Sequence, residues 1–476
     1  MTTLKESVNA SINAIVSDPS EALYNFAVKN GYQDSKENFI IKFMALLNMD
    51  MPNEEPEGPI TVSAGLYQTG SGYTVLLKSW EQLLSEGAVH VENGVVYTNL
   101  DTDTWENASA DALTGDLALP NDGSITKVGN GHWDDNLQDY AGHFAFTSCY
   151  NLTDVMLPDT ISSVGESAFE ACIGLTSVSI PNNTMSIGEG AFYYCTGLTT
   201  VTIPDSVTSI GESAFSDCVG LTNITIPDGI TSVEGSMFNG CIGLTSVGPV
   251  GSGASVEIPD SVTSIGEYAF NGCAGLTKVT LSDNVIFIGD YAFYDCIGLT
   301  SINIPDGVTS IGVNVFWNCT ELTNINIPDN VTSIGNGAFV GCTGLTNINI
   351  PDGVTSIGNW AFQYCEGLTN ITIPDGVTFI GENAFDGCVG LTSIVIPHGV
   401  TIIGNNMFNG CTNLTNVDLP NSITTIEYNA FYDCKALSNI TFEGTIEQWN
   451  IISKGSNWNK NVPAIYVQCS DGKVSI

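Results

Sequence analysis

The stretch from Cys195 to Phe215, CTGLTTVTIPDSVTSIGESAF, decides how the rest of the chain is read. Its apolar residues are Leu198, Val201, Ile203, Val207, Ile210, Ala214 and Phe215. Val201 and Ile203 alternate with Thr200 and Thr202, the period-two pattern of a short strand with one buried face. Pro204 and Asp205 punctuate that strand as a turn, and Val207 to Ile210 forms a second extended run. Gly211 is predicted to hold a backbone position with positive φ. The Ala-Phe-x-x-Cys segment that follows is predicted to be a single-turn helical return. One such unit makes one coil, with Leu, Val, Ile, Phe and Cys pointing inward.

The unit repeats. Thirteen of the fourteen cysteines form a ladder with a step of 23 residues, from Cys149 to Cys241 and again from Cys273 to Cys434. The one irregular step, Cys241 to Cys273, carries nine extra residues, Gly248 to Val256, read as a glycine-rich bulge after which the register resumes. A fixed period of this length is the signature of a leucine-rich solenoid. A single coil buries too little apolar surface to offset the backbone entropy of ordering it, whereas stacked coils cover one another on both sides. The reading is therefore an α+β chain built on a leucine-rich-repeat solenoid of about thirteen 23-residue coils with short strands, preceded by an N-terminal helical module.

The repeat LTxIxIPDxVTxIGxxAFxxC closely resembles the BspA-like, or Treponema pallidum type, leucine-rich repeat. LTNINIPDGVTSIGNWAFQYC, Leu345 to Cys365, is a near-consensus copy, and the match runs from about Leu117 to Ile476. The tail from Phe442 to Gly472 resembles the C-terminal cap of that family, and Ala64 to Leu84 resembles the segment that precedes its repeats. The resemblance implies a secreted or surface-displayed protein with an adhesive role toward host proteins or other microbes.

Four regions follow: a helical module and linker over 1–57, a mixed N-terminal cap segment over 58–116, the solenoid over 117–440, and a C-terminal cap over 441–476. LKESVNASINAIV, SEALYNFAVKNGY and SKENFIIKFMALLNM read as three amphipathic helices, with Ser20 and Ser35 as N-caps. Residues Met1 to Ser20 do not read as a secretory signal, so residues 1–57 are expected to serve as a docking module for an assembly partner. In the second region TVLLKSWEQLLSEG suggests a helix between strands around Tyr67 and VENGVVYT. Leu117 to Gly129 reads as a degenerate first coil, followed by an insertion from Asn130 to His143.

Composition excludes several functions. The formal charge is −40, from 51 acidic residues and 11 basic ones, and every basic residue is a lysine. Non-specific nucleic-acid binding needs cations that displace phosphate counterions, and docking on an anionic membrane needs a polybasic patch; neither is present. No run reaches the roughly 18 apolar residues of a membrane span.

The candidate chemistry is sparse. The cysteines lack the CxxC pairs of zinc sites and read as buried free thiols filling the core; Cys469, outside the ladder, reads as exposed or capped. An aspartate follows proline in most coils (Asp205, Asp306, Asp352), but Asn182, His398 and Asn421 hold the same place, which favours a turn-forming role over calcium binding. The outward strand positions are Ser, Thr and Asn almost throughout, a face suited to a glycan, to a protein or to solubility alone. Tyr268, Tyr291 and Trp360 share one variable position, with Tyr294, Trp317 and Tyr364 nearby, and this aromatic side is the first choice for a partner-binding surface. His132 and His143 with Asp134, Asp135 and Asp139 are the only acid–histidine cluster. No HExxH, P-loop or Rossmann pattern occurs, so neither catalysis, nor a metal, nor a cofactor is expected.

The sequence thus predicts a non-catalytic recognition or adhesion protein, extracellular or at the cell surface, for a protein or surface glycan. The alternative is a structural virion component, a phage fibre or decoration protein, docked through the N-terminal helices.

Overall fold

In the computed structural model residues 145–247 and 256–476 are described throughout, together with the backbone of short strands between residues 66 and 140. The three helices expected over residues 1–57 lie outside the described residues. By its internal contacts the chain divides into two units, residues 1–184 with 195–201 and residues 185–194 with 202–476.

The near-consensus coil shows how the sequence builds the second unit. Asn347–Asn349 is a strand with burial alternating out-in-out, as its Asn-Ile-Asn pattern predicts. Val354 N–H donates to Pro351 C=O at 3.0 Å and closes the Pro-Asp turn. Ser356–Ile357 is the second strand. Leu345, Ile348, Ile350, Val354, Ile357, Ala361, Phe362 and Cys365 are all buried. The strand pairs in parallel with Asn370–Thr372, Asn347 facing Asn370, and Ser356–Ile357 pairs with Phe379–Ile380, so like residues 23 apart lie side by side. Phe362 stacks between Phe339 and Phe385 with centroids 5.4 and 5.5 Å away. These are favourable ring separations.

The return segment corrects the sequence reading. It is a run of turns rather than a helical turn. Trp360, Phe362 and Tyr364 N–H donate to Glu382, Ala384 and Asp386 C=O of the next coil, each at 2.8 Å. Two residues per coil, here Trp360 and Tyr364, hold left-handed φ of 57°. Left-handed residues set between right-handed ones turn alternate N–H groups along the stack, and each coil then satisfies the next one's carbonyls. A helical turn would have spent those donors within its own coil. Among the described residues the one α-helix is Ile446–Ile451, started by a capping box of Thr445 and Gln448. The protein is therefore a leucine-rich β-solenoid of about thirteen turns with little helix, not an α+β fold.

Gly211 also departs from its expected role. It is not among the residues with positive φ, which instead include Ser213 and Asp217 at 54° and 57°. A Cβ on Gly211 would strike the backbone of Gly188 and Glu189 in the preceding coil. Glycine is needed there for close approach of two backbones, not for a special conformation.

All fourteen cysteines are free and buried, Cys469 included. Each ladder thiol whose bond is resolved donates to a phenylalanine carbonyl of the neighbouring coil, as Cys365 Sγ does to Phe339 C=O at 3.1 Å. The bulge at Cys241 to Cys273 leaves the core register intact, with Phe238 and Phe270 stacked at 5.4 Å. It adds one rung to the strand face. Ser246–Val247 pairs with Val256–Glu257, which pairs with Lys278–Thr280, while on the second strand Ser232–Val233 meets Ser264–Ile265 directly.

In the first unit Gly115–Ala118 and Lys127–Val128 pair in parallel with Leu152–Met156 and Ser163–Val164, which is the degenerate coil expected at Leu117 to Gly129. Two local expectations fail. Thr74–Leu76, expected to open a helix, is a strand antiparallel to Leu66–Gln68. VENGVVYT holds not one strand but parts of two, Val89–Glu92 paired antiparallel with Val95–Thr98. At the other end of the chain Trp458 meets Phe431 edge-on, 6.3 Å between centroids, and ends the phenylalanine stack.

Candidate recognition surface

Three long faces run along the coils of the second unit. The Pro-Asp turns form the first, and their aspartates are exposed. Each turn closes by a bond such as Val331 N–H to Pro328 C=O at 3.0 Å, the expected turn-forming role. No group of three or more His, Cys, Asp or Glu is arranged to hold a metal ion among the described residues. The His132–His143 cluster lies outside the described side chains; of that insertion only a short antiparallel pair, Trp133–Asp134 with Asp139–Tyr140, is defined.

The strand face is the second. Its outward positions, Asn324, Asn326, Asn347, Asn349, Asn370 and Thr372 among them, are exposed as expected.

The third face carries the predicted aromatic residues, on the turns around Ala-Phe. Four of the six come together. Tyr268 stacks on Tyr291 at 4.6 Å, Tyr291 meets Tyr294 at 5.8 Å, and Tyr294 stacks on Trp317 at 5.8 Å. Trp317 in turn lies over Gly337, where an added Cβ would come within 3.1 Å of its ring. Each ring of the ridge has one face covered by a stacked neighbour, Tyr268 with Tyr291 and Tyr294 with Trp317, and all four side chains are half-buried. Burial first, and then the neighbouring Tyr291, raise the Tyr268 hydroxyl above its ordinary pKa. Burial likewise raises that of Tyr294. Both stay protonated and able to donate at neutral pH.

Trp360 and Tyr364 stand further along the same face and are 41% and 50% exposed. The Tyr364 ring rests on Gly387. No ring contact joins either residue to the four-membered ridge among the described residues.

The backbone under the aromatics is unusual. Tyr268, Tyr291, Trp360 and Tyr364 all have φ between 56° and 59°. A left-handed conformation costs a residue with a Cβ roughly 1–2 kcal/mol. At the place of Tyr268, Tyr291 and Trp360 other coils use Ser213, Asn314, Gly337, Asn383 and Asn406, and at that of Tyr364 they use Asp295, Asn318, Gly341 and Gly387, most of them residues that adopt this conformation more readily.

A polar column beside the ridge was not singled out from the sequence. Asn271 Nδ2 donates to Asn239 Oδ1 at 2.8 Å, and Gln363 Nε2 and Asn409 Nδ2 each donate to Asp386 at 2.8 Å. Burial raises the Asp386 pKa and these two donors oppose it. The signal was available: the position after the core phenylalanine reads Asn, Tyr, Trp, Val, Gln, Asp, Asn from Asn271 to Asn409, and Tyr294 and Trp317 belong to that column.

Comparison with known proteins places the chain. The family described as BspA type leucine rich repeat region matches residues 139–249, 251–368 and 332–453, in six copies, and the chain belongs to that family. A leucine rich cell surface protein from Faecalibacterium prausnitzii A2-165 is 31% identical over 77% of this chain and 97% of its own, with a TM-score of 0.48. A leucine-rich repeat protein from Bacteroides ovatus ATCC 8483 is 26% identical over 83% of this chain and 98% of its own, with a TM-score of 0.62. No curated protein matches the chain. No helix among the described residues is long and apolar enough to cross a membrane.

Proposed function

We propose that the chain is a non-catalytic recognition protein of a cell surface, which grips a protein partner through the ridge Tyr268, Tyr291, Tyr294 and Trp317, with Trp360 and Tyr364 as outlying contacts. The observation that carries this reading is the placement of Tyr268, Tyr291, Trp360 and Tyr364 on left-handed backbone that neighbouring coils give to small, acidic or amide residues, with Tyr294 and Trp317 packed beside the first two. Strain of this kind marks places where a side chain is wanted for what it touches. The class of partner follows from the stacking. Sugars bind the faces of aromatic rings, and in the ridge one face of each ring is covered by its stacked neighbour. Exposed ring edges, tyrosine hydroxyls and one tryptophan suit the centre of a protein interface. The relative described as a cell surface protein supports the surface location and gives no support to a virion role.

The test is a binding screen of the full chain against immobilised purified secreted and surface proteins. Tyr291→Ala and Trp317→Ala should each weaken the bound partner by about 2 kcal/mol, roughly thirtyfold, as hot-spot truncations do. Unchanged affinity in both variants refutes the assignment of this face.

A further inference from the structure

The strand face of the second unit contains a window without charge. Its rungs are Ser301–Asn303, Asn324–Asn326, Asn347–Asn349, Asn370–Thr372 and Ser393–Val395. Lys278 closes it on one side and Asp418 on the other. At and beyond its edges the amides are engaged within the protein. Asn303 accepts from Leu281 N–H at 2.9 Å and donates back to Leu281 C=O at 3.1 Å. Asn439 Nδ2 donates to Asn416 Oδ1 at 2.7 Å.

Inside the window the pattern stops. Asn324, Asn326, Asn347, Asn349 and Asn370 are exposed, and none of their side chains bonds to another described residue. Stacked amides on parallel rungs commonly form ladders with one another; these five do not. Each carboxamide therefore keeps two donors and an acceptor oxygen for an outside ligand. Backbone register holds them in two straight rows, since Asn303 faces Asn326, Asn326 faces Asn349, and Asn347 faces Asn370. Rungs repeat at about 4.8 Å along each row, and the rows are about 6.7 Å apart.

We infer that this window binds a neutral, linear polysaccharide running along the rows. Hydroxyl groups both donate and accept, as the free amides do. A pyranose unit is comparable in length to one rung of about 4.8 Å, so successive sugars meet successive amides. Uronate or sulfate groups would find no cation in the window, and the acidic solenoid around it would repel them. A protein partner would find none of the Trp, Tyr or Arg anchors that dominate protein interfaces. The site shares no residue with the aromatic ridge, so the two assignments stand or fall separately.

The experiment is calorimetric titration of the full chain with hexasaccharides of β-linked glucose, xylose, mannose and N-acetylglucosamine, and with hexagalacturonate as the anionic control. At least one neutral hexasaccharide binds and the control does not. Asn347→Ala with Asn349→Ala weakens that binding at least tenfold, as does Asn324→Ala with Asn370→Ala on the flanking rungs. These side chains are exposed and unpaired, so circular dichroism and the urea midpoint should match the parent. Trp317→Ala leaves sugar binding unchanged. Absence of binding to all four neutral sugars, preferential binding of hexagalacturonate, or undiminished binding in both double variants overturns the inference.

Discussion

Raising the pH should dismantle the solenoid through its thiols. Eleven ladder cysteines from Cys172 to Cys434 are held protonated by burial, which pushes Cys241, Cys342 and Cys434 up to about 12 and the others upward as well. In the unfolded chain each titrates near 8.5. The folded-state pKa is thus the higher one. The stability these thiols allow is fully present well below the unfolded pKa of about 8.5 and is lost as pH rises through it toward 12, because unfolding then releases protons. One unit above the unfolded pKa, each thiol favours unfolding by about 1.4 kcal/mol. Eleven of them supply about 15 kcal/mol at pH 9.5, the upper end of what a domain has, and about 4–5 kcal/mol at pH 8.5. Carboxylates are already ionised by pH 7, and Tyr and Lys titrate near 10 or above, so the window belongs to the thiols.

The assay is urea unfolding followed by far-ultraviolet circular dichroism, in reductant, at intervals from pH 7 to 9.5. Cys365→Ala and Cys388→Ala give the internal control. Each lowers the baseline by its cavity, but each should also flatten the slope of stability against pH by one thiol's share. Ellman's reagent should find no ladder thiol in the native protein at pH 8 and all of them after unfolding. A urea midpoint constant from pH 7 to 9.5, or ready reaction of native thiols, would refute the reasoning.

Two further outcomes test the core and the face beside the ridge. Phe362→Ala should cost about 3–5 kcal/mol as a core truncation, whereas Phe362→Leu keeps most of the volume and gives up two stacked partners at about 0.5–1.5 kcal/mol each; an unchanged urea midpoint in Phe362→Leu would show that stacking contributes nothing. Gly337→Ala should cost about 1–2 kcal/mol for its left-handed backbone; its Cβ would meet the Asn314 side-chain oxygen first and press on the Trp317 ring at 3.1 Å, seen as a shift in tryptophan emission, and an unchanged midpoint and spectrum would contradict this close packing.

Much of the architecture was legible because the repeat leaves little freedom. Once Cys195 and Cys218 mark a period, Val201 and Ile203 must point inward together and Thr200 and Thr202 outward, since a strand has only two faces. The turn segment was not legible for a different reason. Ala214 and Phe215 are acceptable in a helical turn, and what excludes one is where the N–H groups go. Phe215 N–H donates to Met237 C=O in the next coil, a long-range fact absent from local propensity. Gly211 was ambiguous in principle, because positive φ and close backbone approach both demand glycine. The aromatic position could be read as a shared column. That Tyr268 and Tyr291 close on each other depends on side-chain torsions, which periodicity does not contain.

The left-handed positions separate what the fold requires from what the surface adds. Every coil must turn its alternate N–H groups along the stack, so every coil places two residues in that conformation whatever their identity. Asn314, Gly337 and Asn383 show residues that bear it at little cost. Tyr291 and Trp360, at the same place in neighbouring coils, add about 1–2 kcal/mol of strain each, and the core beneath them is the same Ala-Phe pair. Nothing in the packing of a coil needs a large ring there. Tyr268 and Tyr291 recover part of the strain by stacking, at about 0.5–1.5 kcal/mol. Trp360 has no ring partner among the described residues and is 41% exposed, so its strain is left for an external contact to offset. That makes Trp360 the position at which a binding partner's contribution is most separable from the fold's own.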